Sequence, residues 1–356
     1  MPVQIRLLPL GRTDIGVSSF LEKSGAVSTR IWGSTPHPSA HKTGLYIRNN
    51  KMRFLLIFVF STLTSTLFAD QDLARKLQEM SVTIKSNNSQ GSGVIFTREV
   101  SPTKDSTEKE KINFVWTAAH VVENLRSTRE VIDSDGRSRT VVEFKEPSIV
   151  KELIESGRRV GELEMDAKVI KYSDAKNGHD LALLMLRKRN FVDVSAKFHL
   201  EEPGILPAGT RLFHVGSLYG QVGANSLTTG IISQVGRVIS LGNGDRTIFD
   251  QTTATAFPGS SGGGVFIADL DGHEGEYCGM LVRGSGETFN LIVPIRRMKK
   301  WANEVEIGWA IDPKIPVPPL SEILKIDIED IGVKFDSMKA ENYRDVIPKP
   351  LIKIED

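Results

Sequence analysis

From residue 81 to 295 the apolar residues come in short runs separated by Gly, Asp and Asn. The runs are SVTIK (81–85), GVIFT (93–97), INFVWTA (112–118), TVVEF (140–144), LALLML (181–186), RLFHVG (211–216), TGIISQV (229–235), GGVFIA (263–268), EYCGMLV (276–282) and FNLIVPI (289–295). Many short strands with turn residues between them predict an all-β barrel or sandwich. Two stretches break the rhythm. Residues 98–111 are polar and charged and read as a solvated hairpin loop. Residues 146–160 place Ile149, Leu153 and Ile154 on one helical face with Gly157 after them, which predicts a helical insertion.

Helical spacing brackets the strand region. Leu73, Leu77 and Met80 recur at i, i+4, i+7 behind Asp72, a suitable N-cap. Pro294 stands where a helix starts, ahead of Met298 and Trp301 on one packing face. Beyond residue 306 the chain changes character. DPKIPVPPL (312–320) is proline-rich and reads as extended, either a linker or a strap, so residues 307–356 are expected to be an extended tail.

One segment is apolar without interruption by charge. Phe54–Ala69 follows Lys51 and Arg53 and precedes Asp70. A basic start, an apolar centre and a small residue before the cut predict a signal peptide at 52–69 and a secreted or periplasmic body. The alternative is a retained membrane anchor, with the body outside the cytoplasm; the run is short for a span of about 20 residues. Residues 1–51 are a pre-region, either upstream of a true start at Met52 or an organellar targeting segment.

Charge sharpens this division. The whole chain carries +1, but residues 1–51 hold seven Lys and Arg against Asp14 and Glu22, and Arg53 adds another. Residues 70–356 therefore carry −5, which argues against a polyanion partner; no nucleic acid is expected. Cys278 is the only cysteine, so neither an internal disulfide nor a cysteine-based metal site can form. The seven histidines show no HExxH or similar spacing, and neither a metal nor a cofactor is expected.

The candidate chemistry centres on AFPGSSGGGV (256–265), where GSSGG fits G-x-S-x-G around Ser261. An α/β-hydrolase elbow would be followed by a helix, then an acid and a histidine. Here a strand follows, and the one later histidine, His273, comes twelve residues on in a polar turn. Upstream, His120 ends the apolar strand NFVWTAAHVV and Asp180 opens the strand of GHDLALLMLR. The order His, Asp, Ser is that of a barrel protease, in which a carboxylate orients an imidazole that activates a serine.

With these motifs in hand, the chain resembles the trypsin-like serine proteases, and among them the HtrA/Deg branch. The resemblance runs from about Gly91 to Trp301 through GSGVIF, TAAHVV, HDLALLML, HVGSLYG…NSLTTGIISQVGR, DQTTATAFPGSSGGGVF and FNLIVPI. It implies two six-stranded antiparallel β-barrels with a C-terminal helix, over residues 70–306. It implies His120 as general base, Asp180 as its orienter and Ser261 as nucleophile, with the Gly259 and Ser261 N–H groups as oxyanion hole. It places Thr255 near the floor of the specificity pocket, Val282, Arg283 and Gly284 along a wall, and Phe289 partly filling it. With no acid on that floor, a small or medium apolar residue is expected before the cut bond.

The partners so implied are polypeptide substrates, with homo-oligomers compatible and no membrane contact after signal cleavage. The sequence departs from the branch at Gly264, where proline is frequent, and lacks the length for a PDZ domain after the protease region. A peptide-binding module without catalysis, or a latent enzyme, is the competing reading on the same fold. His179, His199 and His214 read as structural bystanders.

Overall fold

The structure is a computed structural model that describes residues 4–7, 71–132, 136, 138–240, 246–284 and 287–329. The signal peptide expected at 52–69, the rest of the pre-region and the end of the tail lie outside the described residues. No described helix is long and apolar enough to cross a membrane.

In chain order the strands are β1 (Gln4–Leu7), β2 (Ser81–Ser86), β3 (Ser89–Val100), β4 (Glu110–Thr117), β5 (Arg126–Ile132), β6 (Ser138–Phe144), β7 (Ser148–Glu155), β8 (Arg158–Ser173) and β9 (Leu181–Leu186). A second set follows: β10 (Arg211–Leu218), β11 (Gly223–Ser240), β12 (Arg246–Thr252), β13 (Gly264–Asp269), β14 (Tyr277–Gly284) and β15 (Asn290–Pro294). Residues 71–79 form α1, and the later helices are α2 (Ala119–Val122), α3 (Ile295–Glu304) and α4 (Leu320–Ile323).

The first set pairs in the order β8-β7-β2-β3-β4-β9, and β9 pairs back onto β8, so six antiparallel strands close a ring; β1 adds to the outer half of β8. The second set closes as β10-β11-β12-β15-β14-β13. These two antiparallel barrels are the form that the resemblance implies, and the runs anticipate an all-β barrel or sandwich. The strand β9 shows why: LALLML is apolar at each position and buried at each position, the pattern of a strand covered on both faces.

The helical insertion at 146–160 is a β-hairpin instead. β7 and β8 pair from Ser148↔Asp166 to Glu155↔Arg158. The two residues between them, Ser156 and Gly157, have φ of 51° and 75°, the double left-handed geometry of a type I′ turn. The supposed helical face is split by the two-residue alternation of a strand. Ile149 is fully buried, whereas Ile154 is 38% exposed.

The tail expectation also needs correction. Ile307, Trp309, Ala310 and Ile311 belong to the core, not to a tail. Trp309 packs edge-on against Phe114 of β4 at 5.0 Å, and the Trp116 indole N–H donates to the Ala310 carbonyl at 3.1 Å. Farther on, the Leu320 N–H donates to Ser101 O, and Tyr172 N–H donates to Ile328 O at 2.9 Å. The prolines between 313 and 319 keep the chain extended while apolar residues on either side anchor it to the first barrel.

Candidate active site

His120 sits in α2, one short turn after β4. Small, fully buried Ala118 and Ala119 let this turn pack closely. Asp180 precedes β9 with φ of 57°, a left-handed conformation that aspartate tolerates better than most side chains. From there both carboxylate oxygens lie 3.0 Å from His120 Nδ1, and the His120 backbone N–H donates to Oδ1 at 3.1 Å. The Asp180 side chain is 3% exposed and that of His120 33%. Burial pushes the Asp180 carboxyl upward. The His120 side-chain hydrogen bond and charge, the His120 backbone N–H and the Arg283 charge outweigh it, and the carboxyl lies below its ordinary range. Asp180 is therefore a carboxylate that fixes which imidazole nitrogen carries the proton.

The serine loop is turned by Gly259 and Gly262, with φ of 95° and 86°. A side chain at 259 would land on the Ser217 carbonyl and one at 262 on Ser92 O and Thr117 Oγ1, so no other residue fits either position. Within the loop the N–H groups of Ser260, Gly262 and Gly263 donate to Phe257 O, Leu281 O and Ser260 O. Those of Gly259 and Ser261 have no protein acceptor among the described residues. Ser260 is fully buried, and its Oγ accepts the Phe257 N–H at 3.1 Å. Ser261 is half-buried.

Ser92 was missed as a site residue, although it lies inside the motif GSGVIF. Two of its four contacts reach this loop, one reaches β10 and one stays in the first barrel. Its N–H donates to Ser261 O at 2.7 Å and its hydroxyl to Gly259 O at 2.7 Å. The hydroxyl accepts the Ser217 N–H at 2.7 Å, and its carbonyl accepts Thr117 Oγ1 at 2.7 Å. Thr117 is three residues before His120, so one buried serine spaces the serine loop against the strand that carries the histidine.

The expected pocket residues lie on β14, just after β12 and just before β15. Pairing of β13 with β14 ends at Met280, and β14 continues through Val282, Arg283 and Gly284, paired with β15 on one edge. Val282 is buried, while Arg283 and Gly284 are exposed. The Arg283 guanidinium donates to Ala175 O at 3.2 Å. Thr255 is half-buried and its carbonyl accepts Thr228 Oγ1 at 2.9 Å. Phe289 is 38% exposed, with the Arg237 guanidinium 5.4 Å above its ring. Asn290, which sequence reasoning passed over, is fully buried; its amide donates to Ala254 O at 2.8 Å, and its Oδ1 has no protein partner among the described residues.

The other singled-out groups lie elsewhere. His179 packs against the Trp301 ring at 6.0 Å and its carbonyl accepts from Arg297 at 2.9 Å. His214 is fully buried beneath the serine loop, with Nδ1 3.1 Å from Gly264 O. Cys278 is buried, and burial drives its thiol well above the ordinary range, so it is inert. Gly264 opens β13, paired with Val215 and Met280, and a Cβ there would stand 2.5 Å from the Phe266 ring.

No curated protein matches the chain. A solved structure of Deg5 is similar with a TM-score of 0.45 and 20% identity, over 68% of this chain and 96% of that one. An HtrA-type protease, AlgW, solved with a tripeptide, is similar with a TM-score of 0.45 and 19% identity, over 67% of this chain and 63% of that one. The family model of the trypsin-like peptidase domain matches residues 91–279, more than half of the chain and the span from Ser92 through His120 and Asp180 to the serine loop, and the chain belongs to that family.

Proposed function

We propose that the protein is a serine endopeptidase of the HtrA/Deg kind that cleaves polypeptides through an acyl-enzyme. The observation that carries this reading is the His120–Asp180 pair, held from the same β3–β4 framework that clamps the Ser261 loop. Ser261 Oγ attacks the scissile carbonyl while His120 Nε2 takes its proton. Asp180 holds Nδ1–H and offsets the imidazolium charge. The oxygen of the tetrahedral adduct gains negative charge and receives the uncommitted N–H groups of Gly259 and Ser261. Protonated His120 then delivers its proton to the leaving amine, and water enters by the same route in reverse to free Ser261.

Substrate lies extended along the edge of β14 that β13 leaves open, at Val282, Arg283 and Gly284. Main-chain pairing there supplies affinity that is indifferent to sequence. Thr255, Val282 and Phe289 surround the side chain before the cut bond, which is small or medium and apolar. The protease domain begins at residue 70 and takes in the core residues 307–311, and the rest of the chain to 356 follows it. Residues 52–69 direct the protein to a secreted or periplasmic location, and homo-oligomers are compatible with the fold.

A fluorophosphonate probe, which reacts with activated serines, tests this reading. Labelling of the wild type, lost in Ser261→Ala and His120→Ala, is the expected result. A properly folded wild-type protein that takes no label would leave a peptide-binding module in place of an enzyme.

A further inference from the structure

Away from the serine loop, the connection between the barrels meets the β13–β14 turn at a cluster that the proposed chemistry does not use. His199 Nδ1 lies 2.8 Å from Glu276 Oε2, and His273 Nδ1 lies 2.9 Å from the same oxygen. One ligand atom from each of the three residues lies within 4.8 Å of the other two. The His199 and Glu276 side chains are 4% and 7% exposed, while that of His273 is 28% exposed. The backbone fixes the arrangement. Tyr277 N–H donates to Lys197 O at 2.6 Å and His199 N–H to Tyr277 O at 2.9 Å, while Glu276 N–H closes the turn on His273 O at 3.1 Å.

His273 has a carboxylate at each ring nitrogen, since its Nε2 is 3.0 Å from Glu201 Oε2. A neutral imidazole has one N–H, so it satisfies one of these contacts and sets a lone pair against the other. Two arrangements satisfy both contacts: an imidazolium that donates to Glu201 and Glu276, or Nε2–H donating to Glu201 with the Nδ1 lone pair on a cation shared with Glu276 and His199. An outer carboxylate on the non-ligating N–H is the usual support of a metal-bound histidine. Glu276 is supported in the same way. Its Oε1 takes the Lys197 ammonium at 2.7 Å, which leaves Oε2 for an ion.

We propose that His199, His273 and Glu276 bind a zinc ion, with Glu201 and Lys197 as outer supports. Two imidazoles and one carboxylate suit zinc, whereas calcium and magnesium favour all-oxygen sets. Water completes the fourth position. Each imidazole binds through a deprotonated Nδ1, and any proton it carried is released to solvent. The ion staples the inter-barrel connection, through His199, to the β13–β14 turn.

The test uses the full chain carrying Ser261→Ala, to prevent self-cleavage, stripped with a chelator and titrated with zinc chloride. Calorimetry and elemental analysis after gel filtration read the stoichiometry. One retained zinc per chain, a raised Tm and proton release are expected. Zinc affinity should fall about 100-fold or more in His273→Ala and about 10- to 100-fold in Glu201→Gln, as loss of ligands and outer-shell partners does elsewhere. Both side chains are partly exposed, and circular dichroism checks that each variant folds. Cobalt in place of zinc should show tetrahedral ligand-field bands that His273→Ala loses. Failure of the parent chain to retain zinc would overturn the proposal. So would zinc affinity unchanged in His273→Ala, which would place the ion elsewhere, for example on His120 and Asp180.

Discussion

Single residues hold the proposed catalytic geometry from behind. Ser92 is the clearest case, because its hydroxyl is the sole described link between Ser217 N–H and Gly259 O. Replacing it with alanine leaves the buried Ser217 N–H unpaired, a cost of about 1–3 kcal/mol, and the half-buried Gly259 carbonyl without its donor. It also frees the peptide next to the proposed oxyanion donors. Ser92→Ala is expected to lower kcat about tenfold or more with little change in KM, since loss of one oxyanion donor outright costs about 10²- to 10³-fold. Steady-state kinetics on a peptide substrate checks this. A rise in KM at constant kcat would instead mean that Ser92 supports substrate binding. The sequence placed Ser92 in the motif but could not reveal this role. Its partners lie 125 and 167 positions away and meet it only when two barrels pack.

At the scale of elements, period decides where sequence reading succeeds. The run LALLML is legible because it is apolar without gaps, and β4, which ends three residues before His120, because only Asn113 interrupts its apolar run from Ile112 to Trp116. Residues 146–160 misled because Ile149, Leu153 and Ile154 fit a helical face as well as a strand. The decisive signal was the Ser-Gly pair at the turn, both residues with positive φ. This hairpin yields a direct test. Asparagine accepts the left-handed conformation more readily than serine, and alanine less readily. Ser156→Asn is expected to raise stability by a few tenths of a kcal/mol, and Ser156→Ala to lower it by about as much or more. Thermal denaturation of the two variants reads the difference. The opposite order would fit a helix, where alanine is the better residue.

Across the whole molecule, burial of titratable groups sets the pH response. His214 is fully buried under the serine loop, and burial, only partly offset by its hydrogen bond to Gly264 O, lowers its pKa to about 4. The unfolded chain would hold this imidazole near its ordinary value of about 6.5. Between those two values the unfolded state takes up a proton that the folded state refuses, so stability falls as pH drops through the window. The loss attributable to His214 is on the order of 3 kcal/mol by pH 4. Denaturant unfolding at several pH values should show this slope in the wild type and a shallower one in His214→Gln. Equal slopes in both proteins would sink the assignment.

Residue types and local period determined the strand runs, the C-terminal helix and the order of His120, Asp180 and Ser261, because each depends on neighbours within a few positions. The tertiary structure alone decided the rest. It turned residues 307–311 from tail into core, because Trp309 finds its partner in β4 across nearly two hundred residues. It made Ser92 the clamp of a loop in the other barrel. It also gathered His199, His273 and Glu276 around one point, although local spacing signals at most His273 and Glu276, three residues apart. Contacts between distant segments are set by how whole barrels pack, and no local pattern encodes that.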